Sequence, residues 1–209
     1  MNQLIDLSLS QFAATTASSE PVPGGGSISA LCGSLSAALG AMVANLTIGK
    51  KKYVDVQPLM EELSAKLGRV SGLLLKAVDM DSDAYNTVFE AYKMPKATDE
   101  EKEARDFAIQ MALQNAATVP FSVCKLVNTF LPDLVEIAEK GNKNAVTDAY
   151  VASLCARTAI LGAAANVRIN LGSITDEQFC TPMRADLEII TKNAEETEVK
   201  IRNIMDNSI

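Results

Sequence analysis

Pro21–Tyr53, PVPGGGSISALCGSLSAALGAMVANLTIGKKKY, is the stretch whose reading decides the fold. No charged side chain lies between Glu20 and Lys50. The segment opens on Pro23, Gly24, Gly25, Gly26 and Ser27, runs through small and aliphatic residues, and closes on Lys50, Lys51 and Lys52. Three consecutive glycines reach backbone angles closed to other residues and let a ligand approach the main chain. Ser27 is placed to cap a helix beginning near Ile28, whose free N–H groups and positive dipole end would face that ligand. Ser29, Gly33, Ala37 and Ala41 recur every four residues, as do Ser36, Gly40 and Ala44. Such stripes admit another backbone unusually close, so this helix belongs at a centre.

Two plainer readings compete with that one. An uncharged run of this length also fits a membrane span, but four serines, Asn45, Thr47 and the five glycines from Gly24 to Gly40 oppose it, and no second span is expected beside it. A glycine cluster alone is often a simple turn; its place before a helix N-terminus favours a ligand cradle.

Working outward, 209 residues suit one domain, 1–209, with an ample core. Sparse glycine and proline, abundant alanine and leucine, and apolar residues at helical spacing predict an all-α helical bundle with long, small-residue-rich central helices. The net charge of −7 argues against a nucleic-acid footprint. Four scattered cysteines without a C-x-x-C pair, and no signal peptide, indicate reduced thiols in a cytoplasmic protein. The chain has no histidine, which removes Ser-His-Asp and Cys-His catalysis and leaves no expected metal site. Acid–base chemistry then falls to Asp, Glu, Lys, Tyr or Cys.

Residues 2–17 read as a short amphipathic helix. Pro58 suits the first turn of a long helix with Leu59, Leu63, Leu67, Val70 and Leu74 in register, ending before Pro95. Thr98 and Glu101 form a capping box, and Pro120 inside the helix they open predicts a kink or restart. Pro132 starts a short helix that Gly141 ends. Asn142 or Asn144 caps an alanine-rich helix over 145–171, and Thr175 with Gln178 starts an outer C-terminal helix.

Polar groups inside segments built for burial are the informative ones, because burying them unsatisfied is costly. Asn45 lies late in the central helix. Asp81 and Asp83 lie in DMDSD, with Tyr85 one turn beyond Asp81. Asp148 opens the alanine-rich helix, where it also suits the dipole, and Asn166 and Asn170 share a face near its end. Solvation and dipole complementarity alone would explain the lysines and the acidic run. Together with the glycine cradle, however, these groups suggest a cleft for a polar, partly planar molecule.

PVPGGGSISAL, MVANLTIGKKKY, DSDAYNTVFEAYKMPKATDEEKEAR, GNKNAVTDAYVA and GAAANVRINL together resemble the cyclodeaminase/cyclohydrolase family of folate enzymes, over nearly the whole chain and in its stand-alone form. The resemblance implies an all-α homodimer with a tetrahydrofolate derivative bound at or near the subunit interface, where the small-residue seams of two chains would close a dry pocket. It implies one of two activities. A cyclodeaminase converts 5-formiminotetrahydrofolate to 5,10-methenyltetrahydrofolate and ammonia; a cyclohydrolase interconverts the methenyl compound and 10-formyltetrahydrofolate. Cyclodeaminase is the leading expectation, with a separate formiminotransferase as possible partner, and cyclohydrolase the alternative. A non-catalytic folate-binding or scaffold protein is a remote third, against which the acid/base groups count.

Asp81 holds the position of the family's aspartate and is the candidate acid/base. Lys51 and its neighbours Lys50 and Lys52 either assist proton transfer or bind the carboxylates of the folate tail. Asp83 and Tyr85 rank second, since the family tolerates glutamate and phenylalanine there and phenylalanine transfers no proton. Pro23–Ser27 would supply main-chain donors; Asn45, Asp148, Asn166 and Asn170 would read the pterin edge or brace the site.

Overall fold

The computed structural model describes residues 3–209. Every regular element in them is helical: α1 (Leu9–Thr16), α2 (Gly25–Asn45), α3 (Gln57–Lys93), α4 (Asp99–Asn128), α5 (Leu131–Lys140), α6 (Val146–Leu171) and α7 (Glu177–Asp206), with short 3-10 turns at Leu4–Asp6, Lys51–Val56 and Lys143–Ala145. The expected all-α bundle is therefore present, built on the six helices α2–α7.

The N-terminal segment is two pieces, split where Ser8 forms a capping box with Gln11. The start expected at residue 2 lies outside the described residues. α3 follows the sequence reading closely: Pro58 sits in its first turn and Lys93 is its last residue. Thr98 and Glu101 make the expected capping box. Pro120 neither restarts nor ends α4, which runs continuously through it. The C-terminal helix is capped by Asp176, whose carboxylate accepts from the Gln178 and Phe179 N–H groups, while Thr175 bonds Gln110 instead. Gly141 closes α5 with ordinary negative φ, so space is what demands glycine there: a Cβ would overlap the Ile137 carbonyl oxygen.

α2 is the centre, flanked by α3 and α6, and both neighbours run antiparallel to it. Along α3 the partners descend in order: Asn45 with Ser64, Gly40 with Leu67, Ser34 with Ser71, Gly33 with Leu74 and Ser27 with Val78. Along α6 they are Ser36 with Ala152, Ser29 with Gly162 and Gly25 with Asn166. The two small-residue stripes are thus filled from within the chain, by leucines of α3 and α5 and by the α6 backbone. They are not free seams for a second copy. Against the expectation of a single such run, α2 and the segment Lys143–Leu171 are each long and apolar enough to cross a bilayer, and both serve here as core helices.

The stripe makes a prediction. A Cβ on Gly40 would stand 2.8 Å from Leu134 Cδ2 and 2.9 Å from Leu67 Cδ1, both fully buried. Gly40→Ala is expected to destabilise the fold by ~1–3 kcal/mol despite its better helix propensity. Urea unfolding with an unchanged m-value and a lower midpoint would register this; an unchanged midpoint would contradict it.

Candidate active site

α3 and α6 both extend past the point where α2 begins. The space this leaves is a pocket of about 310 Å³, walled by Asp81, Ala84, Tyr85 and Val88 of α3, Ala116 of α4, Asn166 and Asn170 of α6, and rimmed by Pro21, Val22 and Gly24–Gly26. A wider groove of about 540 Å³ between α5 and α7 contains Glu136, Glu196 and Lys200. The smaller space contains a half-buried carboxyl group that is hydrogen-bonded to the first turn of α2.

That group is Asp81. Its carboxyl lies against the first turn of α2: a Cβ on Gly26 would fall 2.5 Å from Asp81 Cγ and 2.6 Å from Oδ2. Helix α2 starts at Gly25, with Gly24 as a cap that offers no side chain. Ser27 is therefore not the N-cap but a fully buried residue of the first turn. Its hydroxyl lies 2.9 Å from Asp81 Oδ2, 3.0 Å from the Val78 carbonyl and 3.2 Å from Ser82 Oγ. One hydroxyl proton serves only one of these acceptors at a time. Burial raises the Asp81 pKa above the ordinary carboxylate value, and hydrogen bonds from the Ser27 hydroxyl and backbone oppose the rise without cancelling it. The glycine turn thus holds an ionisable side chain, where the sequence reading had it facing a ligand directly.

The asparagines are fixed by the backbone. Pro120 has no N–H, so the Ala116 carbonyl four residues earlier loses its helical donor. Asn170 Nδ2 replaces it at 3.1 Å and also donates to the Asn166 carbonyl at 2.8 Å. This explains how α4 passes through proline unbroken, and it ties α4 to α6 on the pocket wall. Asn166 Nδ2 donates to the Gly162 carbonyl at 2.9 Å. With both amide groups engaged, each side chain retains its carbonyl oxygen as an acceptor for a ligand.

The candidates read from sequence fall into two groups. Gly24, Gly25, Gly26, Asp81, Tyr85, Asn166 and Asn170 line the pocket, with Ser27 and the buried Pro23 directly behind it. Asp83, two residues from Asp81 on α3, is exposed and absent from the lining. Asn45, Lys50, Lys51, Lys52 and Asp148 lie at the other end of α2, where Asn45 accepts from Ser64 Oγ at 2.8 Å. Twenty-one residues of helix separate the ends of α2, about 30 Å at 1.5 Å per residue. Within one chain Lys51 does not share a site with Asp81. Ala84, Val88 and Ala116 were not foreseen: as small or aliphatic residues at core spacing they carry no signal of their own. Among the described residues no group of three His, Cys, Asp or Glu is placed to hold a metal ion.

Residues 8–189 match the family described as Formiminotransferase-cyclodeaminase. The chain belongs to this family. It is 43% identical over 173 residues to a methenyltetrahydrofolate cyclohydrolase of Methylorubrum extorquens, covering 82% of this chain and 83% of that protein. It is 35% identical over 195 residues to the formimidoyltransferase-cyclodeaminase of Gallus gallus, covering 93% of this chain but 36% of the relative, so the chain spans about a third of such two-activity proteins. The crystal structure of a formiminotetrahydrofolate cyclodeaminase from Thermotoga maritima superposes with a TM-score of 0.86 at 32% identity, over 96% of each chain. This member of the formiminotransferase-cyclodeaminase family is an enzyme with the all-α cyclodeaminase fold, and the family implies a folate substrate.

Proposed function

We propose that residues 1–209 form one catalytic unit, a methenyltetrahydrofolate cyclohydrolase that works as a cytoplasmic homodimer. The 43% identity to a cyclohydrolase of matching length carries this reading, and it reverses the order of preference taken from the sequence. The pocket supports it chemically. The methenyl substrate is a delocalised N5–C–N10 cation, and Asp81 is a single half-buried carboxyl group on the wall of the space it would fill. As water attacks the methenyl carbon, Asp81 accepts a proton and a neutral adduct forms. The C–N5 bond then breaks, Asp81 returns its proton to N5, and the hydroxyl proton departs as the formyl C=O forms on N10. A carboxyl group with a raised pKa suits both transfers. The carbonyl oxygens of Asn166 and Asn170 would accept from the pterin N–H groups. No metal takes part in this scheme.

The cyclodeaminase reading has its own support in the structural match to a protein of that name. The same Asp81 would protonate departing ammonia after N10 attack, with a separate formiminotransferase supplying the substrate. Purified protein given methenyltetrahydrofolate and, separately, 5-formiminotetrahydrofolate distinguishes the two. Loss of methenyl absorbance well above the buffer rate, without ammonia from the formimino compound, is the expected result. Ammonia release at the faster rate would transfer the assignment to the cyclodeaminase.

A further inference from the structure

Helix α4 holds a proline where almost any other residue would make a better helix. Pro120 is buried well inside it, and proline in a helix interior costs about 3 kcal/mol relative to alanine. What the position gains is a bare carbonyl. The Ala116 oxygen meets no N–H four residues ahead and accepts from Asn170 Nδ2 of α6 instead, at 3.1 Å. Ala116 and Asn170 both line the pocket, so this substitution of one donor for another takes place on its wall.

The consequence falls on Asn170. A side-chain amide offers two hydrogens at its nitrogen and only lone pairs at its oxygen. The two ends are nearly alike in shape, so their partners decide which way the group faces. Nδ2 donates to the Ala116 carbonyl and to the Asn166 carbonyl, the latter at 2.8 Å, and both of its hydrogens are thereby engaged. Turned by half a rotation, Oδ1 would stand against the Ala116 oxygen, acceptor on acceptor. An N–H at residue 120 would compete for that oxygen and remove the need for Asn170 there.

We propose that Pro120 is a positioning residue: by baring the Ala116 carbonyl it locks the Asn170 amide with only its oxygen free for a ligand, and so makes this wall of the pocket a subsite for a hydrogen-bond donor. A substrate with an acceptor at that place is rejected, because two sets of lone pairs would be opposed without a proton between them. That the donor is an N–H or amino group of a pterin rests on the folate reading above; the lock itself rests on the geometry of α4 and α6. In the plainer alternative Asn170 merely patches the helix at Pro120, and changes at either position would then affect folding alone.

Two measurements on the full chain test this. The first is steady-state kinetics with methenyltetrahydrofolate. Pro120→Ala and Pro120→Val, the latter closer to proline in volume, both restore an N–H. Each is expected to raise KM by ~3–10-fold, the range for one neutral hydrogen bond, and to leave kcat within about twofold. In an Asn170→Ala background, where KM is already raised, the same replacements should add nothing. A further rise there would show that Pro120 acts by another route and overturns the proposal, as does an unchanged KM in both single variants.

The second measurement needs no turnover and no proline variant. In ¹⁵N-labelled protein, the side-chain amide signals that vanish in Asn170→Ala belong to Asn170. Their hydrogens should exchange with solvent at least ~10-fold more slowly than those of the exposed Asn86. Where Pro120→Ala folds, that protection should be lost. Exchange at the Asn86 rate in the wild type would mean that the amide is not held, and the proposal falls. If the wild type turns over neither folate, the functional reading alone falls and the exchange rates decide the lock.

Discussion

Asp81→Asn is expected to lower kcat by ~10²–10⁴-fold, the usual range for a lost acid/base group, while leaving the melting temperature at pH 7 equal to or above that of the wild type. The two halves of this prediction have one cause. Burial raises the Asp81 pKa, so the folded state holds the proton more tightly than the unfolded state does. Stability from such a group is fully present below its unfolded pKa, about 3.9 for aspartate, and is lost as pH rises through the raised folded value. At neutral pH the wild type has therefore lost that contribution, because burial opposes ionisation of the Asp81 carboxyl, a cost that asparagine does not carry. Asparagine also retains an acceptor for the Ser27 hydroxyl. The advantage should shrink as pH falls towards the unfolded aspartate value, where protonation removes the difference between the two proteins. Thermal melts of both proteins from pH 4 to 7, beside turnover, are the check. A variant several degrees less stable at pH 7 would mark the carboxylate as structural, and full activity would remove it from the mechanism.

How far the sequence could carry such reasoning varied with the range of the interaction. The ends of α3 and the start of α4 were legible because Pro58, Pro95, Thr98 and Glu101 act within a few residues of themselves. The small-residue stripes announced close packing but not its partner, since nothing local distinguishes Leu67 or Leu134 of the same chain from a second subunit. Ser27 was misread because a serine after glycines resembles a cap; only the α3 register brings Asp81 beneath it. Pro120 looked like a break because its remedy, Asn170, lies 50 residues away on another helix. The pocket's polar residues were recovered by asking which polar groups lie in buried segments. That question cannot sort them by end, so Asn45, the lysines and Asp148 were grouped with residues a helix length away.

Gly26→Ala carries the second large effect, because Gly26 is where helix geometry and the reacting group collide. Any Cβ there overlaps the Asp81 carboxyl group, whereas at Gly25 the nearest atom, Asn166 Nδ2, is 3.2 Å away and can yield. Either Asp81 leaves its seat beside Ser27 or the first turn of α2 shifts. We expect a fall in kcat of the same order as for Asp81→Asn, together with a stability loss of about 1–3 kcal/mol, which Asp81→Asn lacks. Reduced activity alone would not identify the cause, since a damaged fold also lowers rates. A double-mutant cycle does. With Asp81→Ala the colliding carboxyl is gone, so adding Gly26→Ala should cost much less stability than it does in the wild type. The difference should be at least ~1 kcal/mol, the range for residues in direct contact. Additive losses would mean that the two positions do not touch, and the carboxyl would then lie elsewhere than against the first turn of α2.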